Sequence, residues 1–141
     1  MIKRSIYTSG AIEFTKDAYS WRNHILRELH NEYDIIIPDM SPCPFNKTDS
    51  EYGMWIRCHY ILPDMKDVAV STHFFVKIDH VYSSGTYCEL ALAAWLNKDI
   101  VCYLEKVNKL ELPLWVIGCL TGATFVNSIQ DGVDYYKSLC K

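Results

Sequence analysis

The spacing of apolar and polar positions divides the chain into short apolar runs alternating with helical stripes. Ile2 to Tyr7 predicts a first strand, and Thr8-Ser9-Gly10 closes it with small residues that either turn the chain or let backbone amides face a ligand. Asp17 reads as the N-cap of a helix running to about Tyr33, with Trp21, Ile25 and Leu29 at four-residue spacing and Leu26 beside them. Arg22 and Arg27 fall off that stripe and read as solvated, Arg22 being the closer to the sheet edge. Tyr33 to Ile37 is a continuous apolar run after Asp34, as expected of a strand buried on both faces.

Pro38, Pro42 and Pro44 then frame an irregular segment to about Ser50 with the composition of an active-site loop. From Glu51 to Leu62 the pattern is ambiguous. Met54, Trp55, Cys58 and Ile61 fit one helical face, which Pro63 is expected to stop. Asp64 opens the next element, with Met65, Val68 and Thr72 as its stripe, and reads either as an N-cap or as a carboxylate aimed along the sheet edge. Phe74 to Ile78 predicts the third strand, and Ile100 to Leu104 the fourth. Glu105 to Glu111 is a polar surface loop, Pro113 to Gly118 an apolar turn, and Ala123 to Val126 a short fifth strand. Ser128 to Cys140 closes the chain as a helix with Ile129, Val133, Tyr136 and Leu139 on one stripe.

Strands alternating with helices imply an α/β class with a parallel sheet, and 141 residues suffice for one domain, residues 1–141, with a real core. The net charge of −3 comes with scattered lysines and arginines, so a nucleic-acid groove is disfavoured, although a single nucleotide needs no such surface. No run approaches the roughly eighteen apolar residues of a membrane helix. The N-terminal Met1-Ile2-Lys3-Arg4-Ser5 leads directly into the first strand, so the expected location is cytoplasmic and no membrane partner is expected. Six cysteines without a Cys-x-x-Cys pair, Cys88, Cys102 and Cys119 among them in apolar or helical surroundings, read as free thiols in a reducing compartment. Five scattered histidines lack ligand spacing, so no metal site and no cofactor are expected.

The stretch that draws chemical attention is Ser83 to Leu96. An apolar strand, a Ser83-Ser84-Gly85 loop and a helix succeed one another, with Glu89 on the first helical turn at the carboxyl edge of the sheet, where open α/β folds hold ligands. A carboxylate near a helix N-terminus is stabilised by the dipole, which is also the ordinary explanation for one there.

Three segments together carry a resemblance. Ile6-Tyr7-Thr8-Ser9-Gly10-Ala11-Ile12-Glu13-Phe14 followed by Trp21-Arg22, then Pro63-Asp64-Met65, then Gly85-Thr86-Tyr87-Cys88-Glu89-Leu90 stand in the order and spacing of the nucleoside 2-deoxyribosyltransferase-like family. The resemblance spans roughly residues 5 to 130 and takes in Trp115 to Gly118 and Phe125 to Ser128. It implies a single-domain, flavodoxin- or Rossmann-like parallel five-stranded sheet and N-glycosidic bond chemistry on a nucleoside or its 5′-monophosphate. It further implies that Glu89 attacks the anomeric carbon, that Tyr7 orients it, and that Asp64 works near the base, with Asp67 the alternative one turn later. Two carboxylates in different environments suit an oxocarbenium-like transition state with a leaving base that needs a proton.

At the position six before the glutamate, deoxyribosyltransferases resemble one another in an aspartate that binds the sugar 5′-hydroxyl, whereas this chain has Ser83, as the related nucleoside 5′-monophosphate N-glycosidases do. Serine hydroxyls and the amides of Ser84 and Gly85 would accept a phosphate that a carboxylate repels. Thr72 is a second departure, standing where relatives often carry a structural aspartate. Ser9 and Gly10 at the end of the first strand are expected substrate contacts, and Trp55, with Tyr52, Phe45 and Trp115, is a candidate for stacking on a base. The expected activity is transfer of a deoxyribosyl group to another base, the alternatives being hydrolysis of a 5′-monophosphate and a non-catalytic nucleotide sensor. The resemblance implies a homodimer or larger homo-oligomer, for which the sequence itself offers the aromatic Tyr135 and Tyr136 of the last helix.

Overall fold

The computed structural model describes residues 3–12, 17–80 and 83–141. Ile2 of the expected first strand, and Glu13 and Phe14 of the opening motif, lie outside the described residues.

Five strands, β1 (Arg4–Gly10), β2 (Tyr33–Ile36), β3 (His73–Ile78), β4 (Asp99–Leu104) and β5 (Thr124–Val126), form one all-parallel sheet in the order β2-β1-β3-β4-β5. Between them run α1 (Ser20–Leu29), α2 (Tyr52–Ile56), α3 (Leu62–Val70), α4 (Ser84–Trp95) and α5 (Leu114–Cys119), and α6 (Ile129–Ser138) follows β5. The expected α/β class, strand number and parallel pairing are all found. This strand order reverses direction at β1 and β3, and the crevice outside the carboxyl ends of those two strands is where such sheets bind ligands.

The sheet is buried on both faces, as its β-branched and aromatic runs require. On one face Tyr7, Phe74, Val76, Ile78 and Cys102 pack against Val68 of α3, Leu90 and Ala93 of α4 and Val116 of α5. On the other, Ile6, Phe75 and Val101 meet Trp21, Ile25 and Leu29 of α1 and Val133 and Tyr136 of α6. Each fully buried large apolar side chain contributes about 1.5–3 kcal/mol. At Gly132 an added Cβ would lie 2.7 Å from Phe75 Cε2, so the glycine lets α6 settle directly onto the aromatic ring. Thr72, at the foot of β3, accepts from the Ser5 amide and donates to the Ser5 carbonyl, both at 2.8 Å, and so ties the starts of β1 and β3.

Several elements differ from the sequence expectation, each for a local reason. Thr8, Ser9 and Gly10 belong to β1, because pairing with β3 continues to Gly10↔Lys77 after β2 has ended. Helix α1 is shorter than expected at both ends, and Asp17 caps it from outside, its carboxylate accepting from the Ser20 amide at 3.0 Å and the Ser20 hydroxyl at 2.5 Å. Pro63 does not stop the helix before it. The Leu62 amide reaches the Arg57 carbonyl, a π-turn over Arg57–Ile61, and this wider turn gives the proline ring the room that an α-helix denies it. Asp64 is therefore neither an N-cap nor the start of an element but a first-turn residue of α3. Tyr136, expected at an assembly surface, is fully buried in the core with Tyr135 against its ring edge. Among the described residues the most exposed large apolar side chains are instead Trp95, Leu110, Leu114 and Trp115, each above 80%.

Candidate active site

Alternation along β1 sends Ile6 and Tyr7 to opposite faces and returns Ser9 to the face of Tyr7. The Tyr7 ring is buried and stacks on Phe74 at 5.8 Å and 4°. From this fixed ring its hydroxyl donates to Glu89 Oε2, while the Ser9 hydroxyl donates to Glu89 Oε1 at 2.7 Å. Both carboxylate oxygens are thus held by donors on one strand. Glu89 itself projects inward from α4 beside Thr86, Leu90 and Ala93 and is only 8% exposed. Because α4 begins at Ser84, Glu89 sits in the second turn, not the first as the sequence suggested. Beyond the first turn the helix dipole has faded, so burial and hydrogen bonding set the state of this carboxylate.

Burial raises the Glu89 pKa, and the hydrogen bonds from Tyr7 and Ser9 and the Arg22 charge oppose that rise. The Tyr7 phenol is pushed far up by burial and by the Glu89 charge, so it remains a donor at any working pH. Asp64 lies four residues before the buried Val68, on the inward face of α3. Its pKa is raised to about 7, first by burial and then by the charges of Glu89, Asp67 and Asp39. Two carboxyl groups within electrostatic range of each other are therefore held in unlike environments, one bonded to two donors and the other half-buried and titrating near neutrality.

Arg22 corrects the sequence reading most sharply, since it is fully buried and not solvated. Its positions three before Ile25 and seven before Leu29 put it on the apolar face, a signal present in the spacing. The guanidinium donates to the carbonyls of Thr8, Gly10 and Ala18 and lies 4.3 Å over the Trp21 ring. Burial brings its pKa down to about 10, still well above neutral pH. Gly10 is where the backbone demands a missing side chain, because an added Cβ would stand 2.8 Å from Trp21 Cζ2 and 3.2 Å from the Lys77 carbonyl oxygen.

Among the remaining expected residues, Ser83 occupies the N-cap position of α4 and donates to the Thr86 hydroxyl at 2.6 Å. Ser84 and Gly85 follow in the exposed first turn. Trp55 stands on α2, stacked on His59 at 4.3 Å and outside the Glu89 hydrogen-bond cluster. Tyr60, in the π-turn, donates to the Ser41 carbonyl and ties this helical stretch to the proline-rich segment. Trp115 is 82% exposed on α5. Among the described residues no trio of His, Cys, Asp or Glu is placed to hold a metal ion.

No protein-family model and no curated protein matches the sequence. Among solved structures the chain is similar to the 2-deoxyribosyltransferase of the psychrotolerant bacterium Bacillus psychrosaccharolyticus, at 17% identity and a TM-score of 0.64, over 93% of this chain and 91% of that one. It is also similar to the CMP N-glycosidase of Clostridium botulinum, at 15% identity and a TM-score of 0.59, over 95% of this chain and 98% of that one. The chain has their fold. The fold implied by the three sequence segments is accordingly the one found.

Proposed function

We propose that the protein cleaves the N-glycosidic bond of a nucleoside or its 5′-monophosphate through a covalent sugar ester on Glu89 and passes the deoxyribosyl group to a second base. The observation that carries this reading is the pair of hydrogen bonds from Tyr7 and Ser9 that fixes both oxygens of a buried carboxylate outside the β1–β3 switch point. Such a carboxylate is pre-aimed, and in a site shielded from water its charge acts strongly on a developing oxocarbenium ion.

In the first step a Glu89 oxygen bonds to the anomeric carbon as the carbon–nitrogen bond breaks, and the electron pair leaves with the base. Asp64, protonated for about half of its population near pH 7, gives that base its proton. In the second step a ring nitrogen of the acceptor base takes the anomeric carbon, Glu89 departs as carboxylate, and the acceptor's proton returns to Asp64. The names of the two structural neighbours, a deoxyribosyltransferase and a CMP N-glycosidase, support this chemistry.

Hydrolysis of a nucleoside 5′-monophosphate is the second reading, favoured by Ser83 at the N-cap of α4 and by the exposed Ser84 and Gly85 amides of its first turn. There water replaces the acceptor base and the products are free base and sugar phosphate. The proposal includes a homodimer or larger assembly in the cytoplasm, for which the exposed neighbours Leu114 and Trp115 offer an apolar surface to cover.

Incubation with a panel of nucleosides and 5′-monophosphates, with and without an acceptor base, followed by chromatography, tests both readings. Base exchange that requires the acceptor supports transfer, whereas base release without it supports hydrolysis. Glu89→Ala should lose base release while keeping its circular dichroism spectrum, and undiminished turnover in that variant removes the nucleophile.

A further inference from the structure

The connection from β1 to α1 brings a cation back onto the strand it left. Arg22 Nε donates to the Thr8 carbonyl at 3.3 Å, Nη2 to the Gly10 carbonyl at 3.0 Å and Nη1 to the Ala18 carbonyl at 2.6 Å. Thr8 and Gly10 are alternate strand residues, so their carbonyls leave the chain on one edge, and β1 has no pairing with β2 beyond Tyr7. The guanidinium does for these carbonyls what a strand neighbour does elsewhere. The residue between them is Ser9, whose hydroxyl holds Glu89.

A fully buried cation is expensive, and three neutral carbonyls are a weak return for a residue whose only task is packing. The anionic or ionisable groups in its electrostatic range are Glu89, Tyr7, Asp64 and Tyr19. We propose that Arg22 is a positioning residue of this site: it clamps the main chain on both sides of Ser9 and so aims the hydroxyl that holds Glu89, while its buried charge lies within electrostatic range of that carboxylate. This rests on the reading of Glu89 as the nucleophile. Among the described residues, Tyr7 from β1, Asp64 from α3 and Arg22 from α1 are the charged or titratable groups that bear on Glu89, and Arg22 is the cation among them. Ser9, also on β1, is a neutral donor.

The three features make separable demands on a substitution. Methionine fills much of the volume but removes charge and donors. Lysine keeps the charge, yet a single ammonium does not span three carbonyls as the planar guanidinium does. Removing the charge lets Glu89 take up a proton at higher pH, so the acid limb of activity moves upward.

The experiment measures kcat and KM for base release across pH in the wild type, Arg22→Met and Arg22→Lys, with a carbon-13 titration of the glutamate carboxyls in each, the Glu89 signal being assigned through Glu89→Gln. For Arg22→Met the expected result is a kcat lowered roughly 10–100-fold with KM nearly unchanged, and an acid limb moved to higher pH. Arg22→Lys should keep the limb near its wild-type position with an intermediate kcat. An unmoved limb in Arg22→Met, or a lysine variant no better than methionine, overturns the proposal. If Arg22→Met fails to fold by circular dichroism, Arg22→Lys decides alone, a retained limb with reduced kcat supporting the clamp and an unreduced kcat overturning it. If the wild type releases no base from any substrate, the proposed reaction fails. The Glu89 carbon titration then judges Arg22 by itself: a midpoint raised in Arg22→Met supports the role and an unmoved one ends it.

Discussion

The Tyr7 hydroxyl donates to the Glu89 carboxylate across 82 positions of sequence, and the stacked Tyr7 and Phe74 rings keep that hydroxyl in place. The ring and the hydroxyl of Tyr7 have separable effects. Tyr7→Phe preserves the stacking but leaves a buried carboxylate short of one donor, so stability near neutral pH should fall by about 1–3 kcal/mol without loss of the fold. It removes one of the two donors that hold Glu89, so kcat for base release should fall on the order of 10–100-fold. The lost hydrogen bond also stops opposing the burial of Glu89, and the carboxylate should titrate at higher pH than in the wild type. Steady-state kinetics with a carbon-13 titration check both, and a Tyr7→Phe variant as active as wild type would show that the pair does not orient the nucleophile.

The pH dependence follows from the opposite states that the two carboxyl groups need. Glu89 works ionised, so activity should rise with pH along an acid limb. Asp64 works protonated, and with its pKa raised to about 7 by burial and by Glu89, Asp67 and Asp39, kcat/KM should fall as pH climbs through that value. The two groups interact, so the limbs report the pair and not either residue alone. In Asp64→Asn the basic limb should flatten and the remaining rate should depend on how good a leaving group the base is. A basic limb that persists unchanged in Asp64→Asn assigns the acid elsewhere.

The same raised pKa makes a stability prediction. A carboxyl that binds its proton more tightly when folded costs stability wherever it must ionise, so the penalty is absent below about pH 4 and complete above about pH 7. Asp64→Asn removes it. The variant should match wild type near pH 4 and exceed it at pH 8 by on the order of 1–2 kcal/mol, a figure reduced for the partial exposure of the side chain. Denaturant unfolding at the two pH values checks this, and equal gains at both would point to packing and not to ionisation.

Much of this was legible along the chain, and the failures have physical causes. Phe74 to Ile78 is apolar but for Lys77 and Ile100 to Leu104 is apolar throughout, as buried parallel strands are, so the sheet was readable from composition and order. Glu89 and Asp64 stand out by their places at the sheet edge, but their roles and their convergence with Tyr7 come from a resemblance, because nothing in local spacing says that residues so far apart converge. Arg22 reads as solvated along the chain because a charged side chain counts as polar, and the carbonyls of Thr8 and Gly10 that bury it leave no mark in local spacing. Pro63 misled for the complementary reason: the rule that proline ends a helix assumes α geometry, and the π-turn before it relaxes that geometry. Gly10 looked like a loop residue because glycine suits turns, whereas here it is a strand residue whose missing side chain admits Trp21 and Arg22.

Gly10 therefore offers a direct strike at the clamp that leaves Glu89, Tyr7, Ser9 and Asp64 unchanged. In Gly10→Ala the new methyl would sit 2.8 Å from Trp21 Cζ2, 3.2 Å from the Lys77 carbonyl oxygen and 3.5 Å from Arg22 Nη2. The Lys77 carbonyl belongs to the sheet and cannot retreat, and Trp21 is packed against Phe75, so the indole and the guanidinium stacked on it must give way. Overpacking of this kind costs about 1–3 kcal/mol. Displacing Arg22 from the carbonyl on the far side of Ser9 should also loosen the hydroxyl that holds Glu89, so activity should fall further than stability alone explains at a temperature where the variant is fully folded. Urea unfolding and base-release kinetics on the same sample measure the two effects, and a Gly10→Ala protein with wild-type stability would mean that the close approach of β1, Trp21 and Arg22 is not maintained in solution.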